Sequence, residues 1–194
     1  MTPYPVGLAA FTPETAQDQT NWERLCALVA HGPVAFSRDT ARGGHVTASA
    51  FVLSPDRGSV LLTHHRKLDM WLQLGGHCDG IVDTPFVALK EAYEESGLTR
   101  IVPLCDDIFD IDILPVPAFG DQPVHLHYDV RYLMQASDVD VTVSDESHDL
   151  AWVALNAMEA CTSEPTMLRM RDKAVAWLEL AGGNSAGERA EPFE

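Results

Sequence analysis

The chain has 194 residues, 46% of them hydrophobic and 22% charged, with a formal net charge of −16. That length and apolar share suffice for a single folded domain with its own core. The acidic balance excludes a nucleic-acid polymer held by backbone neutralisation, while a small phosphorylated ligand can still bind where a cation supplies positive charge locally.

Thr12-Pro13-Glu14 predicts a helix start, with a capping hydroxyl, a proline at the first position and an acid in the first turn. Trp22, Leu25, Cys26 and Val29 then recur at helical spacing until His31-Gly32-Pro33 closes the element. From His45 to Leu53 the pattern is that of a strand. Ser54-Pro55-Asp56-Arg57-Gly58 turns the chain, and Val60 to Thr63 is the expected hairpin partner. Met70 to Leu74 is extended chain leading into Gly75-Gly76. Ile101–Leu104 and Ile108–Leu114 read as short strands, and the Pro- and Gly-rich stretch 115–123 as a loop. Val124 to Met134 alternates, with His125, His127, Asp129 and Arg131 on one face and Val124, Leu126, Tyr128, Val130 and Tyr132 on the other. A short strand at Ala151–Val153, a helix near Leu155–Met158 and a longer helix from about Pro165 to Leu180 complete the order. Three regions result: an N-terminal helical addition over 1–43, the main domain over 44–181, and a mobile acidic tail over 182–194.

Cys26, Cys78, Cys105 and Cys161 are scattered without a CxxC pair, which reads as reduced thiols. No apolar run approaches the roughly 18 residues of a membrane span, and no basic segment precedes an apolar one near residue 1. A cytoplasmic protein with no membrane partner is expected.

The segment Gly76 to Leu98 carries the chemistry. A glycine loop feeds a helix capped by Asp83 or Thr84, with Pro85 in its first turn and Gly97 at its end. Glu91, Glu94 and Glu95 lie at i, i+3 and i+4, which puts three like charges on one helix face. A hard divalent cation is the natural counter-charge for such a face.

This segment resembles a Nudix box, whose consensus is G, five residues, E, seven residues, then R-E-U-x-E-E-x-G-U, with U a bulky aliphatic. Gly76, Glu91, Glu94, Glu95, Gly97 and Leu98 fall on consensus positions, whereas Val82, Lys90 and Ala92 depart from it. The resemblance extends over roughly Gly44 to Cys161, taking in Trp71 and Trp152-Val153. It implies an α+β fold, a Nudix-type α/β/α sandwich with a central mixed sheet, to which the N-terminal helix is added. It also implies a pyrophosphohydrolase using Mg²⁺ or Mn²⁺ to cleave the diphosphate link of a small-molecule nucleoside diphosphate derivative. Gly76, Glu91, Glu94 and Glu95 would be the metal residues, and Glu91, Glu94 and Glu146 the catalytic acids, with Asp145 as the alternative to Glu146. His77, His125, His127 and Arg131 are expected to contact substrate. Homodimers are common among members, so a homodimer is a partner the resemblance allows.

Two departures bear on rate. Val82 stands where an acid belongs, and Lys90 lacks the planar fork with which arginine braces carboxylates. A catalytically weak scaffold that binds a nucleotide metabolite is therefore an alternative. A third reading comes from Nudix-fold isopentenyl-diphosphate isomerases, which carry a metal-binding histidine in Cys-Gly-His; here His77 follows Gly75-Gly76 and the only nearby cysteine is Cys78. His64, His65, His77, His125, His127 and Cys78 also contain the atoms for a softer metal site, although their spacing follows no standard zinc pattern.

Overall fold

A computed structural model describes residues 5, 7–66, 68–118, 120–144 and 147–185. Helix α1 (Ala16–Val29) starts three residues later than the sequence suggests. Thr15 is the cap because Asp18, three residues on, completes a capping box: the Asp18 amide donates to Thr15 Oγ1, and the Thr15 amide to the Asp18 carboxylate. Asn21 of this helix donates to the carbonyl of Ile111 at 2.9 Å, and the Trp22 indole to the carbonyl of Leu8 at 3.0 Å.

The sheet is organised around β1 (Gly44–Leu53), every residue of which is buried. Strand β7 (His125–Ala136) runs parallel to it over ten registered pairs, from Gly44 with Leu126 to Leu53 with Gln135. On its other edge β4 (Leu74–His77) lies antiparallel, pairing Thr47 with His77 and Ala48 with Gly76. That edge being taken, β2 (Ser59–His65) shares only the Leu53–Val60 pair with β1 and diverges. The expected hairpin ladder is thus confined to its turn. β2 pairs instead with β8 (Ser147–Ala154) and with the short β3 (Met70–Leu72). β5 (Ile101–Pro103) and β6 (Asp110–Val116) pair antiparallel with β7. One parallel pair among antiparallel ones makes the sheet mixed, as expected.

Strand alternation gives the sheet two cores. Val46, Ala48, Ala50 and Val52 join Tyr128, Val130 and Tyr132 against α1 and against α2 (Thr84–Ser96), which contributes Val87, Ala88 and Ala92. Phe51, Leu53 and Leu133 face the other way, onto Met167, Met170 and Ala174 of α3 (Pro165–Ser185). Helical layers therefore cover both faces, which is the α+β sandwich. Helix α3 continues five residues past Leu180, so residues 182–185 of the expected tail are helical; residues 186–194 lie outside the described residues. The element near Leu155 is a short 3₁₀ helix, Leu155–Ala160.

The second face is divided along its length. Beyond Phe51 it is apolar and lies under α3, but at the other end it carries His45, Thr47 and Ser49 on β1 and His127, Asp129 and Arg131 on β7. The polar end borders the site.

Candidate functional site

Asp83 caps α2 by accepting from the Phe86 amide at 3.1 Å, Pro85 fits the first turn, and Gly97 ends the helix at φ 67. This aims the acidic face of α2 at β4. A Cβ on Gly76 would lie 2.6 Å from the Glu91 carboxylate carbon and Oε2, so the absent side chain is what lets Glu91 rest against the strand. The Gly75 amide donates to Glu95 Oε1 at 2.7 Å, holding a carboxylate that is 7% exposed. Lys90 Nζ bridges the other two, 3.1 Å from Glu91 Oε1 and 2.7 Å from Glu94 Oε2. Its hydrogen bond to Glu94 raises its pKa.

The brace that consensus assigns to arginine is thus made here by lysine. Val82 packs against the core, Asp79 pairs with Arg38, and Asp83 caps the helix. Glu91, Glu94 and Glu95 with the Gly75-Gly76 backbone form a hard-oxygen donor set, and the Lys90 ammonium already marks a cation position between two of them. Carboxylate and carbonyl oxygens are the kind of donor a Mg²⁺-type ion takes. Glu146 and Asp145 lie outside the described residues.

β4 has a different chemistry on its reverse face. Leu74, Gly76 and Cys78 face α2, whereas His77 points the other way. There it meets His45 and His127, with ring centroids 4.9 to 5.1 Å apart. His125 completes the group: its Nδ1–H donates to the Pro123 carbonyl at 2.8 Å, and its Nε2 lies 3.3 Å from Nε2 of His127. Among the described residues, His45, His77 and His127 are the group of three His, Cys, Asp or Glu side chains whose ligand atoms fall within 4.8 Å of one another. The three glutamates do not meet that criterion.

Burial is the main force holding the His45, His77 and His127 pKa values down at about 4, with the neighbouring imidazoles and Arg38 adding to it. At neutral pH these rings are uncharged. Against a phosphate they can act as N–H donors but not as cations. His45 is 1% exposed, and among the described residues neither ring nitrogen has a hydrogen-bond partner. An unmet buried polar group costs about 1–3 kcal/mol.

Several expected residues lie elsewhere. Arg131 is 0% exposed and internal. It is bound by Asp129 at 2.8 Å, Asp110 at 3.0 Å and Asp112 at 3.3 Å, which corrects its expected role in contacting substrate. Burial works against its charge, but these aspartates outweigh it and raise its pKa. His64 stacks on Trp71 and contacts Asp69 at 3.0 Å, and His65 accepts from the Leu68 amide. Cys78 is 1% exposed on the α2 face, its thiol pushed up to about 12 by burial, so it offers neither a soft ligand beside His77 nor a ready thiolate.

His45 is the site residue that sequence reasoning missed. Its signal was the polar alternation His45, Thr47, Ser49 within an otherwise apolar strand.

No protein-family model matches the chain, and comparison with curated proteins returns no significant match. Solved structures do match. The chain is similar to a C. elegans Ap4A hydrolase in a binary complex (TM-score 0.56, 21% identity, 69% of this chain and 97% of that one). It is also similar to a NUDIX family hydrolase from Clostridium perfringens (TM-score 0.53, 22% identity, 69% and 97%). A third match is the NUDIX domain of Shewanella oneidensis NrtR complexed with ADP ribose (TM-score 0.50, 18% identity, 69% and 87%). With the mixed sheet, the glycine loop and the acidic helix already in place, these likenesses establish that the chain has the Nudix hydrolase fold.

Proposed function

We propose that the chain is a divalent-metal-dependent hydrolase of the diphosphate linkage in a nucleoside diphosphate joined to another moiety. The observation that carries this reading is the packing of Glu91 into the space left at Gly76, with Glu94 sharing its counter-cation and Glu95 fixed on the Gly75 amide. Mg²⁺ or Mn²⁺ would be held by Glu91, Glu94, Glu95 and the Gly76 carbonyl. When bound, such an ion neutralises phosphate oxygens and acidifies water. We assign the proton of the attacking water to one acid among Glu91, Glu94 and Glu146. His77, His125 and His127 form the wall we assign to the substrate, as neutral donors in the case of His77 and His127. The hydrolase fold of the similar structures supports the reading, as does the ligand named for one of them, a nucleotide derivative. We also place the protein in the cytoplasm; no helix among the described residues is long and apolar enough to cross a membrane.

The test is a screen of dinucleotide polyphosphates, ADP-ribose, nucleotide sugars and nucleoside triphosphates with Mg²⁺ or Mn²⁺, with the nucleotide, phosphomonoester and pyrophosphate products separated by chromatography and quantified. Metal-dependent turnover that falls at least about 10²-fold in Glu94→Gln is expected, the scale of losing one transition-state electrostatic contact. Folded protein giving no product with any class would refute it.

One observation favours a second reading, in which a nucleotide metabolite is bound without cleavage. Lys90 already neutralises Glu91 and Glu94, lowering the demand for an ion. Thermal stabilisation by a nucleotide that remains intact over hours would select this reading.

A further inference from the structure

We propose that His45, His77 and His127 form a binding site for one borderline transition-metal cation of the Zn²⁺, Co²⁺ or Ni²⁺ type, separate from the carboxylate cluster on α2. It does not depend on the hydrolase reading, and in it the cation takes the place of the direct substrate contact assigned above to His77 and His127.

Three independent observations converge. First, the ligand atoms of the three rings lie within 4.8 Å of one another although the residues come from three strands. A tetrahedral ion with nitrogen ligands at 2.0–2.1 Å separates them by about 3.3 Å. Reaching that from 4.8 Å takes less than an ångström from each ring. Second, His45 is 1% exposed and both its nitrogens lack a partner among the described residues. A histidine serving only as packing would satisfy at least its N–H, as buried polar groups nearly always do. Third, His125 Nε2 lies 3.3 Å from His127 Nε2 while its Nδ1–H is held by the Pro123 carbonyl. That contact is a hydrogen bond in which His125 Nε2 accepts, so a carbonyl-oriented imidazole fixes the ring of His127 from outside the group, as partners of metal-binding histidines do.

The donor set chooses the ion. All the donors are imidazole nitrogens, which suit Zn²⁺, Ni²⁺ and their neighbours, while Mg²⁺ and Ca²⁺ require oxygen. The carboxylates that act on these rings are already engaged, Asp129 by Thr47, Ser49, Gln73 and Arg131, and Asp79 by Arg38. β4 keeps the two chemistries apart, with Gly76 toward Glu91 on one face and His77 on the other.

The test uses untagged full-length protein treated with a chelator and titrated with Co²⁺, with Zn²⁺ competition followed by calorimetry. One Co²⁺ per chain is expected, with visible d–d bands of a low-coordinate, nitrogen-ligated ion and a rise in melting temperature. His45→Phe, which fills the same space without a nitrogen, and His77→Gln, which is partly exposed, should each weaken binding by at least about 100-fold, more than loss of an outer-sphere partner does. Glu94→Gln, which disables the carboxylate cluster, should leave the bands unchanged. Should His45→Phe fail to fold, His77→Gln decides alone. Absence of the bands in folded wild-type protein, or bands that survive His77→Gln or vanish in Glu94→Gln, would overturn the proposal.

Discussion

Adjacent glycines in β4 should give opposite phenotypes when each is replaced by alanine. A Cβ at Gly76 would meet the Glu91 carboxylate at 2.6 Å, against 3.4 Å or more in ordinary contact. The carboxylate must therefore retreat by about 0.8 Å, and because it ends a flexible side chain the fold should lose less than about 1 kcal/mol. A misplacement near 1 Å in a catalytic group can cost about 10²-fold in rate. At Gly75 the new Cβ would lie 2.3 Å from Ser49 Cβ, 2.7 Å from Ser49 Cα and 2.8 Å from the Ala48 carbonyl oxygen. Those atoms belong to the central strand and have nowhere to go. Overpacking of this kind costs about 1–3 kcal/mol, and roughly 2–4 °C of melting temperature accompanies each kcal/mol at this chain length. Thermal unfolding and metal-dependent kcat/KM, measured on both variants, separate the effects. If Gly76→Ala keeps wild-type kcat/KM, Glu91 is not where the chemistry occurs. If it melts as low as Gly75→Ala, the assignment of a yielding neighbour is wrong.

Three more outcomes follow from the same contacts. Lys90→Met removes two partly exposed pairs worth roughly 0.2–1 kcal/mol each and leaves Glu91, Glu94 and Glu95 facing one another; Mg²⁺ should then raise the melting temperature more in the variant than in wild type, and equal shifts would argue against a shared cation position. Arg131→Met should destabilise by about 3–5 kcal/mol in urea unfolding, because fully buried Asp110 and nearly buried Asp129 lose a partner; a loss under 1 kcal/mol would show that Arg169 and Lys173 suffice for Asp110. In chelator-treated protein, acid should destabilise the fold well above the carboxylate range. An imidazole held at about 4 in the fold and near 6.5 when unfolded takes up its proton on unfolding. Stability is thus complete above pH 6.5 and is lost as pH falls to about 4, by roughly 3 kcal/mol for His45. His45→Phe should flatten that slope, and an unchanged slope would locate the titration elsewhere.

The carboxylate cluster was legible because it is local. One helix period and one glycine loop put Gly76, Glu91, Glu94 and Glu95 within a single stretch of chain; in the structure Glu91 rests against Gly76, Lys90 bridges Glu91 and Glu94, and Glu95 is held by the Gly75 amide. His45 and His127 are 82 positions apart, and their meeting depends on the parallel register of β1 with β7, which no local pattern encodes. Arg131 shows a different limit. Alternation correctly placed it on the face of His127 and Asp129, but period two assigns a face and not a depth along it. Depth is set by α3, whose Thr166 and Arg169 close over the strand where the aspartates gather. The divergence of β2 has the same origin, since the edge it would have used is filled by a four-residue strand too short to announce itself.

Why β4 can be so short, and still organise the site, follows from its two glycines. A strand normally presents side chains to both faces, and any side chain at Gly75 or Gly76 would push away either β1 or α2. Without them the strand is thin enough for a carboxylate to lie against one side while the imidazoles gather on the other from His77 onward. The faces then differ in the cation they suit, because one presents charged oxygens around an ammonium and the other presents neutral nitrogens with no counter-charge. In a chain of net charge −16 that separation has a consequence for selectivity. In the proposed assignment a hard divalent ion would be drawn to the oxygens by charge, and the nitrogen face would hold an ion that gains more from imidazole than it loses in hydration. The two faces can therefore be loaded independently, and β4 is the boundary between them.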